Sequence, residues 1–245
     1  MMPVVAHRGL ARLYPENTRL SVLGALAAGL EQVEIDVQLS ADGVPVVHHD
    51  ADLLRMCGVV GDLRRLPFAR LRQVRTPEPG RFGRRYAGET LCGLAELAEE
   101  LEDCGDFTLF VELKEESLKP FGREAMLAAV AEALRPIQGR CVLISFDLPV
   151  LALARRDTRY AVGAVLRTLA QRKLPVYRTL KPDWVFCDVR LLPAKGSLKP
   201  LFGRAHSCIY EVPQVERARD LLRRGINSIE TFKADTLLQE LSLYR

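Results

Sequence analysis

The feature that most constrains this chain is the alternation of short apolar runs with amphipathic stretches. Eight runs are typical of strands: 4–6, 33–37, 108–113, 141–145, 161–165, 184–187, 207–212 and 228–229. Helical patterns lie between them, at 18–28, 91–101, 123–134, 149–156 and 215–224. Strands that alternate with helices form βα units, whose strands pair in parallel. The count of eight predicts an α/β protein with a closed (β/α)8 TIM barrel, and 245 residues suit the roughly 250 that one barrel requires.

One segment interrupts the alternation. Residues 44–48 follow the turn Ala41-Asp42-Gly43 and predict a hairpin strand that extends strand two. Residues 51–89 then carry nine arginines, four acids and no lysine, with loop signals within them. We interpret residues 51–89 as a small insertion after strand two, at the barrel mouth, within a single domain of residues 1–245.

Composition narrows the class of protein. Hydrophobic residues make up 48% of the chain, enough for a sizeable core, and the formal charge of +4 is too small to indicate nucleic-acid binding. No apolar run approaches the roughly 20 residues of a transmembrane helix, and the early His7-Arg8 leaves no room for a signal peptide. The six cysteines form no CxxC, so we interpret them as buried reduced thiols. We therefore expect a soluble cytoplasmic protein; no pattern indicates its oligomeric state.

Carboxylates follow or end the predicted strands. Glu34 and Asp36 have i, i+2 spacing on one strand, as do Glu112 and Lys114 on the next, so each pair shares a side. The carboxyl ends of barrel strands form the rim where active sites are built. Three carboxylates that converge there repel one another unless a cation separates them, and oxygen ligands favour Mg²⁺ or Ca²⁺. The alternative is a set of strand-end acids in structural salt bridges.

Histidine is the side chain best suited to proton transfer near neutral pH. Of the four in this chain, His7 closes strand one and His49 follows the hairpin strand, so these two are the candidates for an acid–base pair. We expect His48 and His206 to be packing or surface residues.

Two cations suit a phosphate anion: Arg8 and Lys114 lie beside the predicted acids. The alternative for Arg8 is a structural pair with Glu16. Asn17 or Thr18 is a good N-cap for the first helix, and the same polar loop could orient a catalytic histidine or a metal ligand.

These motifs together resemble the glycerophosphodiester phosphodiesterase family. The matching words occur in the family's order over the first 150 residues: His7-Arg8-Gly9, Pro15-Glu16-Asn17-Thr18, Glu34-Ile35-Asp36-Val37, Asp42-Gly43, His49-Asp50, Leu53 with Arg55, Glu112-Leu113-Lys114 and Ser145-Phe146. The resemblance implies a TIM barrel with a small insertion after strand two. It also implies a divalent metal on Glu34, Asp36 and Glu112, His7 and His49 as acid and base, and phosphate contacts from Arg8 and Lys114.

The second half departs from the family pattern. Tyr210-Glu211-Val212-Pro213 replaces a Trp-Thr-Val-Asn word, residues 225–232 replace a Gly-Val-Asp-Gly-Ile-x-Thr-Asp ending, and Met56 replaces a threonine. We expect these positions to shape the alcohol pockets and to carry none of the chemistry.

The function that follows is metal-dependent hydrolysis of a glycerophosphodiester, a small-molecule substrate, to glycerol 3-phosphate and an alcohol. The nucleophile is water or the neighbouring glycerol hydroxyl. Two alternatives stay open: a lysophospholipase D-type phosphodiesterase that uses the same residues, and a phosphodiester-binding barrel without turnover.

Overall fold

The computed structural model describes residues 3–243. Its strands are β1 Val4–Ala6, β2 Gln32–Leu39, β3 Pro45–Val47, β4 Thr108–Leu113, β5 Cys141–Ser145, β6 Ala161–Leu166, β7 Trp184–Asp188, β8 His206–Tyr210 and β9 Ser228–Thr231. Its α-helices are α1 Arg19–Ala27, α2 Leu54–Cys57, α3 Phe68–Leu71, α4 Pro79–Phe82, α5 Leu94–Leu101, α6 Glu115–Phe121, α7 Arg123–Ala133, α8 Leu148–Asp157, α9 Pro175–Leu180, α10 Lys199–Phe202, α11 Val215–Arg223 and α12 Ala234–Ser242. Within this described range, every helix falls short of the length and apolar character needed to cross a membrane.

Eight parallel strands close into a ring, which confirms the predicted TIM barrel. β1 completes the ring because it pairs in parallel with both β2 and β9, where Val5 lies beside Gln32 on one side and Glu230 on the other. β3 lies outside the ring and pairs antiparallel with β2, with Val47 opposite Val37. The hairpin predicted after strand two is therefore present.

Side chains of β2 divide between two environments because successive residues point to opposite faces. Val33, Ile35 and Val37 belong to the large core between the strands and the surrounding helices. A separate apolar cluster fills the barrel interior, made by Val5, Phe110, Val142, Ile144, Val165, Phe186 and Cys208. Glu34 pairs in register with Phe110 and Asp36 with Glu112, so the acids of β2 and β4 occupy the end of the barrel beyond this plug.

Residues 51–89 form short helices with an apolar cluster of their own. In that cluster, Val46 of β3 packs against side chains of the segment and against Leu91 just after it. The segment side chains are Leu53, Met56, Cys57, Leu63 and Leu71. The segment also contacts the loop after β1, where the Tyr86 hydroxyl donates to the Leu13 carbonyl at 2.6 Å and the Arg81 guanidinium donates to the Ala11 carbonyl. The segment therefore lies on the carboxyl rim of the barrel.

Several predicted boundaries were wrong; the last strand, expected at 228–229, runs on to Thr231. The helix expected at 91–101 begins only at Leu94, because Leu91 donates to the Val74 carbonyl and Cys92 accepts from Val47, which holds both residues in extended pairing. The strand expected at 207–212 ends at Tyr210. Glu211 follows this strand, and its side chain contacts His7.

Candidate active site

All seven side chains singled out in the sequence line one cavity of about 170 Å³: His7, Arg8, Glu34, Asp36, His49, Glu112 and Lys114. They reach it from the ends of β1, β2, β3 and β4. Phe146, Tyr210 and Glu230 complete the wall from the ends of β5, β8 and β9, with apolar side chains of the interior plug at the bottom.

The loop after β1 is shaped by glycine. Gly9 has φ +76°, and a Cβ there would lie 2.4 Å from Ser21 Oγ, so only glycine fits. The turn directs the Arg8 backbone N–H to Glu34 Oε2 at 3.0 Å. The His-Arg-Gly word therefore joins the first strand to an acid of the second.

Three carboxylates meet at the rim. Glu34, Asp36 and Glu112 each offer an oxygen within 4.8 Å of the other two, and Glu34 and Asp36 are only 2% exposed. Burial and the neighbouring carboxylates raise the pKa values of Glu34 and Glu112. Burial acts the same way on Asp36, but Lys114 and Arg8 outweigh it and hold the pKa of Asp36 well below its usual range. Lys114 Nζ lies 2.9 Å from Glu112 Oε1 and 3.3 Å from Asp36 Oδ1.

Asn17 and Thr18 divide the two tasks expected of their loop. Thr18 caps α1, because its hydroxyl accepts from the Ser21 N–H at 3.1 Å. Asn17 instead fixes Asp36: its Nδ2 donates to Asp36 Oδ2 at 2.8 Å, and its Oδ1 accepts from the Asp36 N–H at 2.9 Å. The loop therefore orients one of the three clustered acids as well as starting the helix.

Arg8 has the structural pair with Glu16 that was considered for it, and it also lies against Asp36. Its Nη1 donates to Glu16 Oε1 at 2.7 Å, and its Nε lies 3.2 Å from Asp36 Oδ2. Glu16 Oε1 also accepts from Arg55 Nη2 at 2.7 Å. Arg55 of the 51–89 segment is thereby connected to the rim acids through Glu16 and Arg8.

His49 is connected to the same network. Its Nδ1 lies 2.6 Å from Asp50 Oδ1, and Asp50 Oδ2 accepts from Arg55 Nε at 2.6 Å. Burial raises the pKa of Asp50, but the hydrogen bonds from Arg55 and His49 outweigh it and bring this pKa to about 2. Burial lowers the pKa of His49 itself. A ring held this way by an ionised carboxylate presents its other nitrogen, Nε2, away from Asp50.

The other two histidines lie outside the cavity. His48 is buried and its Nε2 lies 3.2 Å from the Asp52 carbonyl oxygen. His206 is exposed at the start of β8, which is the opposite end of the barrel from the rim acids.

His7 is surrounded by residues that the sequence reasoning missed. Its Nδ1 lies 3.1 Å from Glu211 Oε2, and its ring stacks on Phe232 with centroids 4.2 Å apart. Its Nε2 faces Glu34 Oε2 at 4.0 Å and Glu230 Oε1 at 3.9 Å. Burial opposes the charged ring, but the carboxylates of Glu230 and Glu211 outweigh it and raise the pKa of His7.

The departing words were expected to shape the alcohol pockets, and the structure brings three of their residues to His7. Glu211, Glu230 and Phe232 all belong to these words, and all three contact or face His7. The signal that could have found the two glutamates is the one used for Glu34, a charged residue at the end of a barrel strand.

The fold and site define a TIM barrel whose carboxyl rim carries a cluster of acids close enough to share one metal ion, and comparison with known proteins gives the family. The model of the glycerophosphoryl diester phosphodiesterase family matches residues 7–226. The chain belongs to this family.

Relatives agree with that assignment, and a solved structure shares the fold. A glycerophosphodiester phosphodiesterase of Bacillus altitudinis is 31% identical over 196 residues, which are 80% of this chain and 74% of the relative. An uncharacterised Mycobacterium tuberculosis protein is 31% identical over 176 residues, and the match spans only 56% of its length. A phosphodiesterase from Oleispira antarctica, solved with the product sn-glycerol-3-phosphate, has the same fold with a TM-score of 0.85 at 24% identity, covering 99% of this chain and 97% of that one.

Proposed function

We propose that this protein is a metal-dependent phosphodiesterase that hydrolyses glycerophosphodiesters to glycerol 3-phosphate and an alcohol. The observation that carries the proposal is the convergence of three carboxylates, two of them fully buried, with two histidines and two cations on one small cavity. Membership of the family supports it, and so does the glycerol 3-phosphate bound to the Oleispira neighbour.

Glu34, Asp36 and Glu112 would hold the divalent cation. Their oxygens are close enough to share one ion. Burial and the neighbouring carboxylates raise the pKa values of Glu34 and Glu112, and a bound cation would offset both effects. An all-carboxylate set suits a hard cation, Mg²⁺ or Ca²⁺. When bound, such an ion supplies positive charge to the phosphoryl oxygens as negative charge develops on them.

The remaining residues would bind the phosphate and move protons. Arg8 and Lys114 stay cationic because each lies against carboxylates, and both face the cavity. His7 and His49 approach the same cavity from different strands, as an acid–base pair requires. One would remove the proton of the nucleophile, and the other would protonate the leaving alkoxide.

A substrate screen with purified protein tests the proposal. Glycerophosphocholine and glycerophosphoethanolamine should be hydrolysed with Mg²⁺ or Ca²⁺ and not after EDTA, and lysophospholipids should react more slowly or not at all. Glu34→Gln and Glu112→Gln should lose turnover and weaken cation binding measured by calorimetry. Glu100→Gln is the matched control, because this side chain of α5 is 33% exposed and pairs with Arg19 of α1, away from the cavity.

Three outcomes contradict the proposal. If EDTA leaves wild-type turnover unchanged, the reaction does not depend on a metal. If Glu34→Gln still binds the cation tightly, the metal ligands are wrongly assigned. Faster hydrolysis of lysophospholipids than of glycerophosphodiesters would change the substrate.

A further inference from the structure

The His7 ring is held along one edge and one face by the end of the barrel. Glu211 follows β8, whereas Thr231 ends β9 and Phe232 follows it, so the closure of the barrel between β1 and β9 brings all of them to His7. Phe232 lies nearly parallel to the imidazole, with an interplanar angle of 17°. Glu211 contacts the Nδ1 edge at 3.1 Å.

The Glu211 carboxylate is itself fixed in place. Its Oε1 accepts from the Thr231 hydroxyl at 2.5 Å and from the Phe232 N–H at 3.0 Å. Its Oε2 receives the same Phe232 N–H at 3.1 Å and lies against His7. A carboxylate with three donors around it has few other orientations available.

An ionised carboxylate can only accept hydrogen bonds, so the nitrogen against it must carry the proton. Glu211 therefore requires His7 to be protonated on Nδ1. That leaves Nε2 as the nitrogen that faces the cavity, 4.0 Å from Glu34 and 3.9 Å from Glu230. The orientation and the tautomer of the ring are both decided by one side chain.

We propose that Glu211 is a positioning residue for His7: it fixes Nδ1–H against itself and so presents Nε2 to the substrate. The inference rests on the proposed function, because it needs His7 to move a proton in the reaction. Thr231 and the Phe232 backbone act one step further out, since they hold Glu211. Glu211 itself touches neither the rim acids nor the cations among the contacts described.

A double-mutant cycle tests the proposal, with hydrolysis of glycerophosphocholine in saturating cation as the assay. Glu211→Ala should lower kcat about 10- to 1,000-fold, within the range of general acid–base catalysis, with KM changed less than about threefold. In the His7→Ala background the same substitution should cause no further loss, because the group through which it acts is gone. Glu100→Ala, which removes a glutamate of similar exposure from an ion pair, should leave kcat unchanged.

Two milder variants keep the test informative if Glu211→Ala unfolds. Glu211→Gln keeps one acceptor oxygen but adds an amide donor, so it supports either tautomer and should fall between wild type and Glu211→Ala. Thr231→Val keeps the shape of a buried side chain and removes the hydroxyl that holds Glu211. It should lower kcat severalfold while KM and the unfolding temperature stay near those of wild type.

The results that would overturn this inference differ from those that would overturn the proposed function. If His7→Ala abolishes turnover while Glu211→Ala and Glu211→Gln keep wild-type kcat, Glu211 does not position His7. Equal losses from Glu211→Ala in the wild-type and His7→Ala backgrounds would also overturn it, because the effect would then be independent of His7. A His7→Ala enzyme with wild-type kcat would instead refute the role of His7 on which both depend.

Discussion

Single residues decide which of the four histidines can take part in chemistry. His7 and His49 are each held at Nδ1 by a carboxylate, and both face the cavity. His48 follows β3 directly, but its buried ring turns to the Asp52 carbonyl. One of this pair therefore reaches the cavity, and the other is buried against the start of the 51–89 segment.

Substitution of each histidine separates the two roles. His7→Ala and His49→Ala should each lower kcat by about 10²–10⁴-fold and leave the protein folded. His48→Ala should lower the unfolding temperature, since it removes a buried ring and its contact to Asp52, while kcat in the folded enzyme changes little. Activity assays and thermal unfolding of the four alanine variants, with His206→Ala as the exposed control, give the comparison. A larger loss of kcat at His48 than at His49 would show that the wrong histidine of this pair was chosen.

The sequence predicted some residues of the site and missed others. Glu34 and Asp36 were found because a strand has a period of two and both acids interrupt one apolar run. Glu230 was missed because the apolar run of the last strand was ended at residue 229, so the strand was cut before its acid. The contact of His7 with Glu211 spans 204 residues of sequence and arises only when the barrel closes. No local pattern carries that information.

At the scale of elements, the barrel strands and the position of the 51–89 segment were predictable, whereas the helices within that segment were not. The strands have buried apolar runs of the expected length, whereas this segment is made of helices of only four residues and one 3-10 turn. Isolated helices of that length have no stability of their own, so they leave no periodicity to read. Their positions depend on the small apolar cluster beneath them and on contacts with the loop after β1.

The basic charge of this segment gives a prediction about substrate capture. Arg84 and Arg85 are exposed, whereas Arg81 pairs with Glu78 at 2.9 Å and with the Ala11 carbonyl, so the first two are the arginines free to attract an anion. Arg84→Gln with Arg85→Gln should lower kcat/KM severalfold at low salt with little change in kcat. The difference should vanish at high salt because exposed charges are then screened.

Steady-state kinetics from about 20 mM to 500 mM salt check this expectation, on either side of the roughly 8 Å screening length at physiological ionic strength. Arg70→Gln with Arg72→Gln, also exposed in the same segment, is the control. If the Arg84/Arg85 variant and wild type have identical kcat/KM at every ionic strength, these two arginines do not steer the substrate.

For the whole molecule, the acidic rim makes stability depend on pH. Burial raises the pKa values of Glu34 and Glu112 above those of the unfolded chain and raises that of Glu230 to about 7. A carboxyl group whose pKa is higher in the folded state than in the unfolded chain does not lower the free energy of unfolding below its unfolded pKa. As pH rises from the unfolded to the folded pKa, the group increasingly destabilises the folded state. The protein in EDTA should therefore lose stability between about pH 4.5 and pH 7.5 through these groups.

Addition of Mg²⁺ or Ca²⁺ should reverse that loss. A ligand present at about 100 times its Kd stabilises the folded state by about 2.7 kcal/mol. Because the ion binds ionised carboxylates, the rise in unfolding temperature should be larger at pH 8 than at pH 5. Thermal unfolding with and without the cation across this range measures it, and Glu34→Gln should show a much smaller rise. A cation effect in Glu34→Gln as large as in wild type would contradict the assignment of the site.

The bridge through Glu16 has a consequence for exchanging parts between relatives. Arg55 comes from the 51–89 segment, Glu16 from the loop before α1, and Arg8 from the loop after β1, and a single oxygen of Glu16 accepts from both arginines at 2.7 Å. A segment transplanted from another barrel would have to bring its own cation to the position of Arg55. Without it, the Glu16 carboxylate would keep a charge matched by Arg8 alone, and Asp50 beside His49 would lose its partner. The 51–89 segment and the loop after β1 would therefore have to be exchanged together.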